Sequence, residues 1–247
     1  MKNQYVGDVG DYGKYGLLRF LTLHGIKLGV NWYLTPDDYR TDGNHREYLY
    51  DPRLRTYDEK LYDVLSELAF RFDKTIQMVQ NAGVMDDADF YDELIDLQFI
   101  PWRERAEARM TWHQKALETL GASELVFADP DNGLSSTQKP SLKDAQKYIL
   151  PNEVIDYFER GQQVLYYHHR PRKKGPAWYQ EKTQIKQFLP DARLLALSFN
   201  RWGCRTYVFV LHEDRYRVYQ EVIDEFMDSP WGKYRVDRKA AFIREKV

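Results

Sequence analysis

The sharpest chemical signal in the sequence is the tetrapeptide Asp129-Pro130-Asp131-Asn132, which follows the apolar run 125–128. Pro130 fixes its own φ and stiffens the loop, so a carboxylate beside it can face a cleft at the end of a strand. Carboxylate and carbonyl oxygens accept hydrogen bonds, and Asn132 adds both a donor and an acceptor. These groups suit an exocyclic amine, and all four residues are candidate catalytic residues. A second interpretation stays open, in which the tetrapeptide only caps the strand before a tight turn.

The segment 7–14 gathers glycines and two carboxylates around one lysine at the start of the first predicted helix. Helix N-termini attract anions, but Asp8 and Asp11 already supply negative charge there. No Gly-Lys-Ser/Thr ending follows, so the segment does not predict a phosphate-binding loop. Lys14 is a candidate ligand for a carboxylate or a ribose hydroxyl. The alternative is plain helix capping, with Asp11 as the N-cap.

A basic run follows the strand predicted over residues 163–168. Such a run can hold a phosphate backbone, which makes it a candidate nucleic-acid-binding loop. The alternative is a solvated loop without a partner. The candidate binding residues are Arg170, Arg172, Lys173 and Lys174.

The pair His168-His169 does not predict a metal site. Adjacent residues on a strand point to opposite faces, so the two rings cannot easily share one ion. Carboxylates do suit magnesium, and a magnesium-dependent nuclease or phosphoesterase therefore stays open as an alternative function. That enzyme would use four aspartates: Asp8, Asp11, Asp129 and Asp131.

Short apolar runs alternate with helical patterns along the chain, which predicts a single α/β domain over residues 1–247. This alternation is typical of a mostly parallel, Rossmann-like sheet with helices on both faces. The last two strands lie about five residues apart, too close for a parallel crossover, so they must form an antiparallel hairpin. The predicted strands cover residues 27–34, 125–129, 163–168, 194–199 and 205–211.

The helical patterns leave one long stretch, about 46–121, that we interpret as a helical inserted subdomain. Leu61, Val64 and Leu65 keep helical spacing within it. Other predicted helices cover residues 11–24, 152–160, 177–188, 217–227 and 237–245, and weak strands are predicted near 76–79 and 98–100.

Composition limits the function classes. The chain has 247 residues, with 38 acidic and 36 basic side chains, so a globally basic nucleic-acid binder is excluded but a local basic patch is not. One cysteine permits no disulfide within the chain. No apolar run approaches the roughly 20 residues of a membrane span, and the first residues lack a signal-peptide pattern. We therefore expect a cytoplasmic protein with no membrane partner.

Taken together, these motifs resemble the large-subunit ribosomal RNA adenine amino-methyltransferases, which use S-adenosylmethionine. That family has a Gly-Asn-x-x-Asp-x-x-Lys segment before its first helix, and residues 7–14 keep this spacing with Asp8 in place of Asn. Its catalytic Asp-Pro-Pro-Tyr corresponds to residues 129–132. Its strand ending in Asp-Thr-His-Ala-Gly corresponds to residues 33–37, which keep only Thr35, and Pro36-Asp37-Asp38 replaces its glycine-rich cofactor loop.

The resemblance implies a methyltransferase-type sheet and an exocyclic amine of a nucleic-acid base as the methyl acceptor. By resemblance, Asp129 binds this amine with help from the Pro130 carbonyl. The cofactor would be S-adenosylmethionine, bound near four residues: Asp8, Asp11, Lys14 and Thr35. A non-catalytic nucleic-acid-binding or protein-binding relative stays open beside the nuclease, since the sequence lacks the cofactor glycines and has Asn132 where the family has Tyr.

Overall fold

A computed structural model describes residues 1–38, 45–136, 138–139, 143–169, 175–203 and 205–247. The predicted nucleic-acid-binding residues lie outside the described residues: Arg170, Arg172, Lys173 and Lys174.

The helices of the described ranges surround one central sheet. Asp8 begins α1 as its N-cap, because its carboxylate accepts a hydrogen bond from the Gly10 N–H. Pro at the first turn of several others suits the fixed φ of that position. The helices are α1 (Val9–Leu23), α2 (Pro52–Arg55), α3 (Glu59–Leu68), α4 (Ile76–Asn81), α5 (Arg105–Thr119), α6 (Pro151–Glu159), α7 (Pro176–Thr183), α8 (Glu213–Asp228) and α9 (Pro230–Lys233).

The strands have two to seven residues, and two strands of the central sheet, Leu28–Asn31 and Leu125–Ala128, are buried throughout. They are β1 (Leu28–Asn31), β2 (Asp89–Tyr91), β3 (Leu125–Ala128), β4 (Gly133–Leu134), β5 (Tyr148–Ile149), β6 (Gln163–His169), β7 (Arg193–Phe199), β8 (Arg205–Leu211), β9 (Arg235–Val236), β10 (Lys239–Ala240) and β11 (Phe242–Arg244).

The central sheet has the strand order β11-β7-β8-β6-β3-β1-β2. Its strands β2, β1, β3 and β6 run parallel, whereas β8 is antiparallel to both of its neighbours, β6 and β7. This arrangement confirms the predicted mixed α/β, Rossmann-like class, including the antiparallel hairpin formed by β7 and β8.

The helix predicted over residues 237–245 is wrong. Asp237 and Arg238 have positive φ, 52° and 64°, and form the two-residue turn between β9 and β10. Such turns suit hairpins because their twist matches that of the flanking strands. Phe242 then pairs with Phe199, so β11 extends the sheet at its β7 edge.

The weak strands predicted near 76–79 and 98–100 are also wrong. Residues 76–79 belong to α4, and residues 98–100 form a bend. The strand of this stretch is instead β2, which pairs with β1 over three residues. Its Asp-Phe-Tyr sequence is too short and mixed to produce a periodic signal.

Apolar side chains of the sheet alternate between two cores. Val30 and Phe127 face the core that includes α1 and α8, whereas Val126 and Ala128 face the core that includes α5 and α6. This alternation follows from the period of two along a strand. None of the helices in the described ranges combines the length and apolarity that a bilayer crossing needs.

Candidate functional site

A cleft of about 360 Å³ opens where the carboxyl ends of β3 and β6 meet the N-terminus of α1. Because β8 runs antiparallel to β6, its first residue, Arg205, lies opposite His169 at this same edge. Ligands of open α/β sheets bind beyond the carboxyl ends of the strands. The cleft is therefore the place where the fold itself predicts a site.

The turn that follows β3 brings all four predicted catalytic residues to the cleft wall. The Asp129 N–H donates to the Asn31 carbonyl at 3.0 Å, which continues the pairing of β3 with β1. The Asn132 N–H donates to the Lys147 carbonyl at 2.9 Å, and the Asn132 carbonyl accepts from the His169 N–H at 3.2 Å. Both ends of the turn are thus tied to neighbouring strands, so its polar groups are held in fixed positions.

Three buried charges form the floor of the cleft, and we call Asp11, Lys14 and Asp129 the cleft cluster. Lys14 Nζ lies 2.8 Å from Asp11 Oδ1 and 2.7 Å from Asp129 Oδ2. The side chains of Lys14 and Asp129 are only 5% and 7% exposed. The other oxygen of Asp129, Oδ1, has no hydrogen-bond partner among the described residues, so it remains available to a ligand in the cleft.

Burial and charge act against each other in the cleft cluster. Burial alone would lower the pKa of Lys14, but the carboxylates of Asp11 and Asp129 outweigh it, and the pKa lies above its ordinary value. The pKa of Asp11 is raised, chiefly because burial disfavours its charged form, although Lys14 opposes this. Lys14 is therefore a fixed positive charge, and the carboxylates compete for it.

Asp8 and Asp11 also organise the start of α1. The N-cap is Asp8 and not Asp11, contrary to the sequence expectation. Asp8 Oδ1 also accepts from Arg205 Nη2 at 3.0 Å, which joins α1 to β8 across the cleft. A Cβ at Gly10 would lie 2.2 Å from Arg205 Nε, so a larger residue there would displace the guanidinium from this position. The segment 7–14 thus positions Lys14 through its caps and its glycine.

Thr35 is the one predicted cofactor residue that does not line the cleft. It is buried behind Asp131, and its hydroxyl lies 3.5 Å from Asp131 Oδ2. The Thr35 N–H donates to the Met1 carbonyl at 2.9 Å. Since this N–H is already bonded, it cannot contact a ligand as the glycine-rich loop of the resembled family implies.

Sequence reasoning missed several residues of the cleft wall. Tyr167 and His169 alternate along β6, so both face the cleft, and Tyr167 Oη lies 3.2 Å from His169 Nδ1. Burial raises the pKa of Tyr167 and, with Arg205, lowers that of His169. The alternation at the end of β6 was a usable signal. Arg205 was not predictable without the pairing of β6 and β8.

The charges of the cleft are mixed. Five aspartates and four lysine or arginine side chains line it. Among the described residues no three His, Cys, Asp or Glu side chains are grouped so that they could hold a metal ion. The four aspartates named for a magnesium nuclease pair with different cations. Asp8 binds Arg205, Asp11 and Asp129 bind Lys14, and Asp131 Oδ1 lies 3.0 Å from the Met1 amino group.

Comparisons with known proteins find a distant similarity to a solved structure. No protein-family model and no curated protein matches the chain. Among solved structures, the chain is similar to the crystal structure of protein LPL1258 from Legionella pneumophila str. Philadelphia 1, family-model DUF519. The two chains are 13% identical, and the alignment covers 97% of this chain and 96% of the other with a TM-score of 0.44.

Proposed function

We propose that this protein is a methyltransferase-like protein that acts on an exocyclic amine of a nucleic-acid base. One observation carries the proposal: the turn of residues 129–132 opens into the cleft with Asp129 fixed by Lys14 at 2.7 Å. Lys14 occupies one oxygen of the carboxylate and leaves Oδ1 toward the cleft. The Pro130 carbonyl, which has no donor among the described groups, is a second acceptor beside it.

An amine has two N–H groups, and the turn offers two acceptors. The Asp129 carboxylate and the Pro130 carbonyl together orient the amine nitrogen and increase the electron density of its lone pair. Rigid positioning of this kind supplies much of the rate in group transfer. The rings of Tyr5 and Tyr167 also line the cleft and provide surfaces against which a base can stack.

The chemistry of the cleft also suits S-adenosylmethionine. Its volume of about 360 Å³ lies within the range of roughly 300–1,000 Å³ that is typical of ligand sites. Charges of both signs on its wall match a ligand with an ammonium, a sulfonium and a carboxylate. Lys147 would hold the carboxylate, next to Arg205, which also pairs with Asp8. Asp131, whose Oδ1 lies 3.0 Å from the Met1 amino group, would share its charge between that group and the cationic groups of the ligand. When bound, the sulfonium would supply an electrophilic methyl group.

The occupied N–H of Thr35 limits where such a cofactor can lie. We therefore propose that it binds in the cleft, between the start of α1 and the turn, and not along the loop after β1. The residues of this chain would then orient the amine, balance charge and exclude water through their burial.

Calorimetry and a labelled-methyl assay test the proposal. We expect heat on titration with S-adenosylmethionine and methyl transfer to an oligonucleotide. Asp129→Asn should lower transfer by about 10²–10³, as for loss of one fixed group at a reacting centre. Asp156→Asn, which removes a half-exposed carboxylate on the other face of the sheet, is the matched control. Absence of cofactor heat, or equal loss in both variants, would overturn the proposal.

A further inference from the structure

A second groove of about 680 Å³ lies at the same edge of the sheet as the cleft, over the β7–β8 turn and the β9–β10 hairpin. Its wall carries three cations and no carboxylate, although the whole chain has a net charge of −2. We call it the basic groove. It is lined by Asn200, Trp202, Gly203, Arg235, Arg238, Lys239, Ala240 and Ile243.

The cations of the basic groove are not used in ion pairs within the described part of the chain. Arg235, Arg238 and Lys239 have no carboxylate partner there. The neighbouring carboxylate of Asp237 lies 3.3 Å from Arg53 Nη1 and so belongs to another contact. Unpaired cations at one concave site form a local positive potential, which attracts an anionic ligand.

Trp202 is held outward at the rim of the basic groove. Its side chain is 45% exposed and its φ is +47°, a conformation that costs energy for a residue other than glycine. Arg201 fixes the turn, because its Nη2 donates to the Tyr57 hydroxyl at 2.9 Å and to the Lys239 carbonyl at 2.6 Å. The turn therefore leaves nearly half of Trp202 exposed beside the cations of the groove.

Arg205 joins the basic groove to the cleft. Its Nη1 donates to the Arg201 carbonyl in the β7–β8 turn at 3.3 Å, and its Nη2 donates to Asp8 in the cleft at 3.0 Å. A Cβ at Gly203, which lines the basic groove beside Trp202, would lie 3.4 Å from Arg205 Nη1, so Arg205 borders both the cleft and the groove.

We propose that the basic groove binds the single-stranded nucleic acid whose base enters the cleft. Cations would contact the phosphates, and Trp202 would stack on a neighbouring base. A single strand fits better than a duplex because a free base must enter a cleft of about 360 Å³ without leaving a helical stack. This inference rests on the proposed function for its choice of nucleic acid over other polyanions.

Fluorescence anisotropy with short labelled oligonucleotides tests the groove. Trp202→Ala should weaken binding about tenfold, in keeping with the loss of one stacked base. Trp202→Phe should recover part of this loss because it restores a stacking ring. Trp102→Ala is the matched control, since Trp102 is 66% exposed and has Arg103 over its ring in a different loop.

The salt dependence tests the cations separately. The double variant Arg235→Ala, Arg238→Ala should reduce the steepness of log affinity plotted against log salt concentration by about 1.4. Each lost phosphate contact on a single strand accounts for about 0.7 of this slope. Arg217→Ala, on the exposed side of α8, is the control. RNA and DNA single strands of one sequence, their duplexes and phosphatidylserine vesicles are the competing ligands.

The outcomes separate the groove from the proposed function. Single-strand binding that Trp202→Ala and the arginine variant weaken, with the controls unchanged, supports the groove even if no methyl transfer is found. Unchanged single-strand binding in these variants overturns the proposal for the basic groove. If methyl transfer still occurs in that case, the proposed function stands without it. Equal or tighter binding of duplexes or of vesicles also overturns the inference.

Discussion

Two buried ion-pair systems lie on opposite sides of the sheet, and they differ in how completely their charges are matched. In the cleft cluster one lysine serves two carboxylates, Asp11 and Asp129. On the other side Arg109 and Glu153, which we call the rear pair, match one to one at 2.6 Å between Nε and Oε1. Both side chains of the rear pair are 1% exposed.

The rear pair also makes more hydrogen bonds than the cleft cluster, with four donor contacts from Arg109 alone. Arg109 donates to two backbone carbonyls, those of Ala145 and Tyr148, in addition to Glu153. Glu153 Oε2 accepts from the Leu150 N–H and from the Tyr33 hydroxyl. Such a pair holds α5, α6 and the segment after β1 together, and although it lines a groove of about 500 Å³, both oxygens of its carboxylate are already bonded.

The two systems bury charged side chains for different reasons: the rear pair stabilises the fold, whereas the cleft cluster belongs to the proposed site. A matched pair fixes the fold, because removal of either member leaves an uncompensated charge. The cleft cluster keeps one more carboxylate than cation and leaves an oxygen of Asp129 facing a cavity. This excess of carboxylate, and not burial or ion pairing alone, is why the cleft cluster and not the rear pair is the basis of the proposed function.

Breaking the rear pair should have the largest effect. Glu153→Gln leaves the Arg109 charge buried without a counter-charge, and we expect it to lower the free energy of unfolding by about 3–5 kcal/mol. Urea unfolding followed by far-UV circular dichroism measures this. A loss of unfolding free energy below about 1 kcal/mol, the upper limit for an exposed ion pair, would contradict the structural role of the rear pair.

The pH dependence should have opposite signs in the two systems. Burial would raise the pKa of Glu153, but Arg109 outweighs it and the pKa lies below its ordinary value of 4.5. Its contribution to stability is therefore present above about pH 4.5 and is lost as the pH falls through the folded-state pKa.

Asp11 should behave in the reverse way. Its pKa is raised from 3.8 by burial, so the folded state takes up a proton before the unfolded state does as the pH falls. Stability should therefore rise with acidification just above pH 3.8 and fall as the pH increases through the folded-state pKa. Free energies of unfolding should be measured across this pH range for both variants. Asp11→Asn should lack the rise in stability on acidification, and Glu153→Gln should lack the loss of stability on acidification. Parallel curves for both variants would show that the assignment is wrong.

Asp129→Asn should change stability much less than Glu153→Gln. Lys14 keeps Asp11 as a charged partner, and the Asn carbonyl can still accept its hydrogen bond. We expect a loss of about 1 kcal/mol in urea unfolding, together with the loss of methyl transfer given above. A loss as large as that of Glu153→Gln would make Asp129 a structural residue and not a site residue.

The smallest effect should come from an exposed pair on the same helix as Arg109. Lys115 Nζ lies 2.9 Å from Glu93 Oε2, with both side chains about half exposed. Lys115→Met should change the free energy of unfolding by about 0–1 kcal/mol. The same urea experiment measures it, and a loss near that of Glu153→Gln would remove the contrast between buried and exposed pairs.

The sequence predicted the centre of the sheet better than its edges. β3 and the β7–β8 hairpin carry continuous apolar runs, because both faces of these strands are buried. β2 and β11 are three residues each and lie at the edges, where few positions are buried. Edge strands form through pairing with a neighbour far away in the chain, which local periodicity does not report.

The candidate site was predictable to the extent that its members lie close together in sequence. The spacing of residues 7–14 and the turn at 129–132 are local patterns, and they come together at Lys14 and Asp129. Arg205 and the basic groove depend on strand pairings and a strained turn, so no window of sequence contains them. The rear pair was missed for the same reason, since 44 residues separate Arg109 from Glu153.

Transfer of a labelled methyl group to a single-stranded oligonucleotide tests whether the turn at residues 129–132 binds an exocyclic amine. The substrate carries adenines, and the comparison substrate carries purines that lack the exocyclic amine. We predict transfer only to the first, with loss in Asp129→Asn but not in Asp156→Asn. Equal labelling of both substrates, or no labelling and no cofactor binding by the intact protein, would contradict the assignment of the turn at residues 129–132 as an amine-binding site.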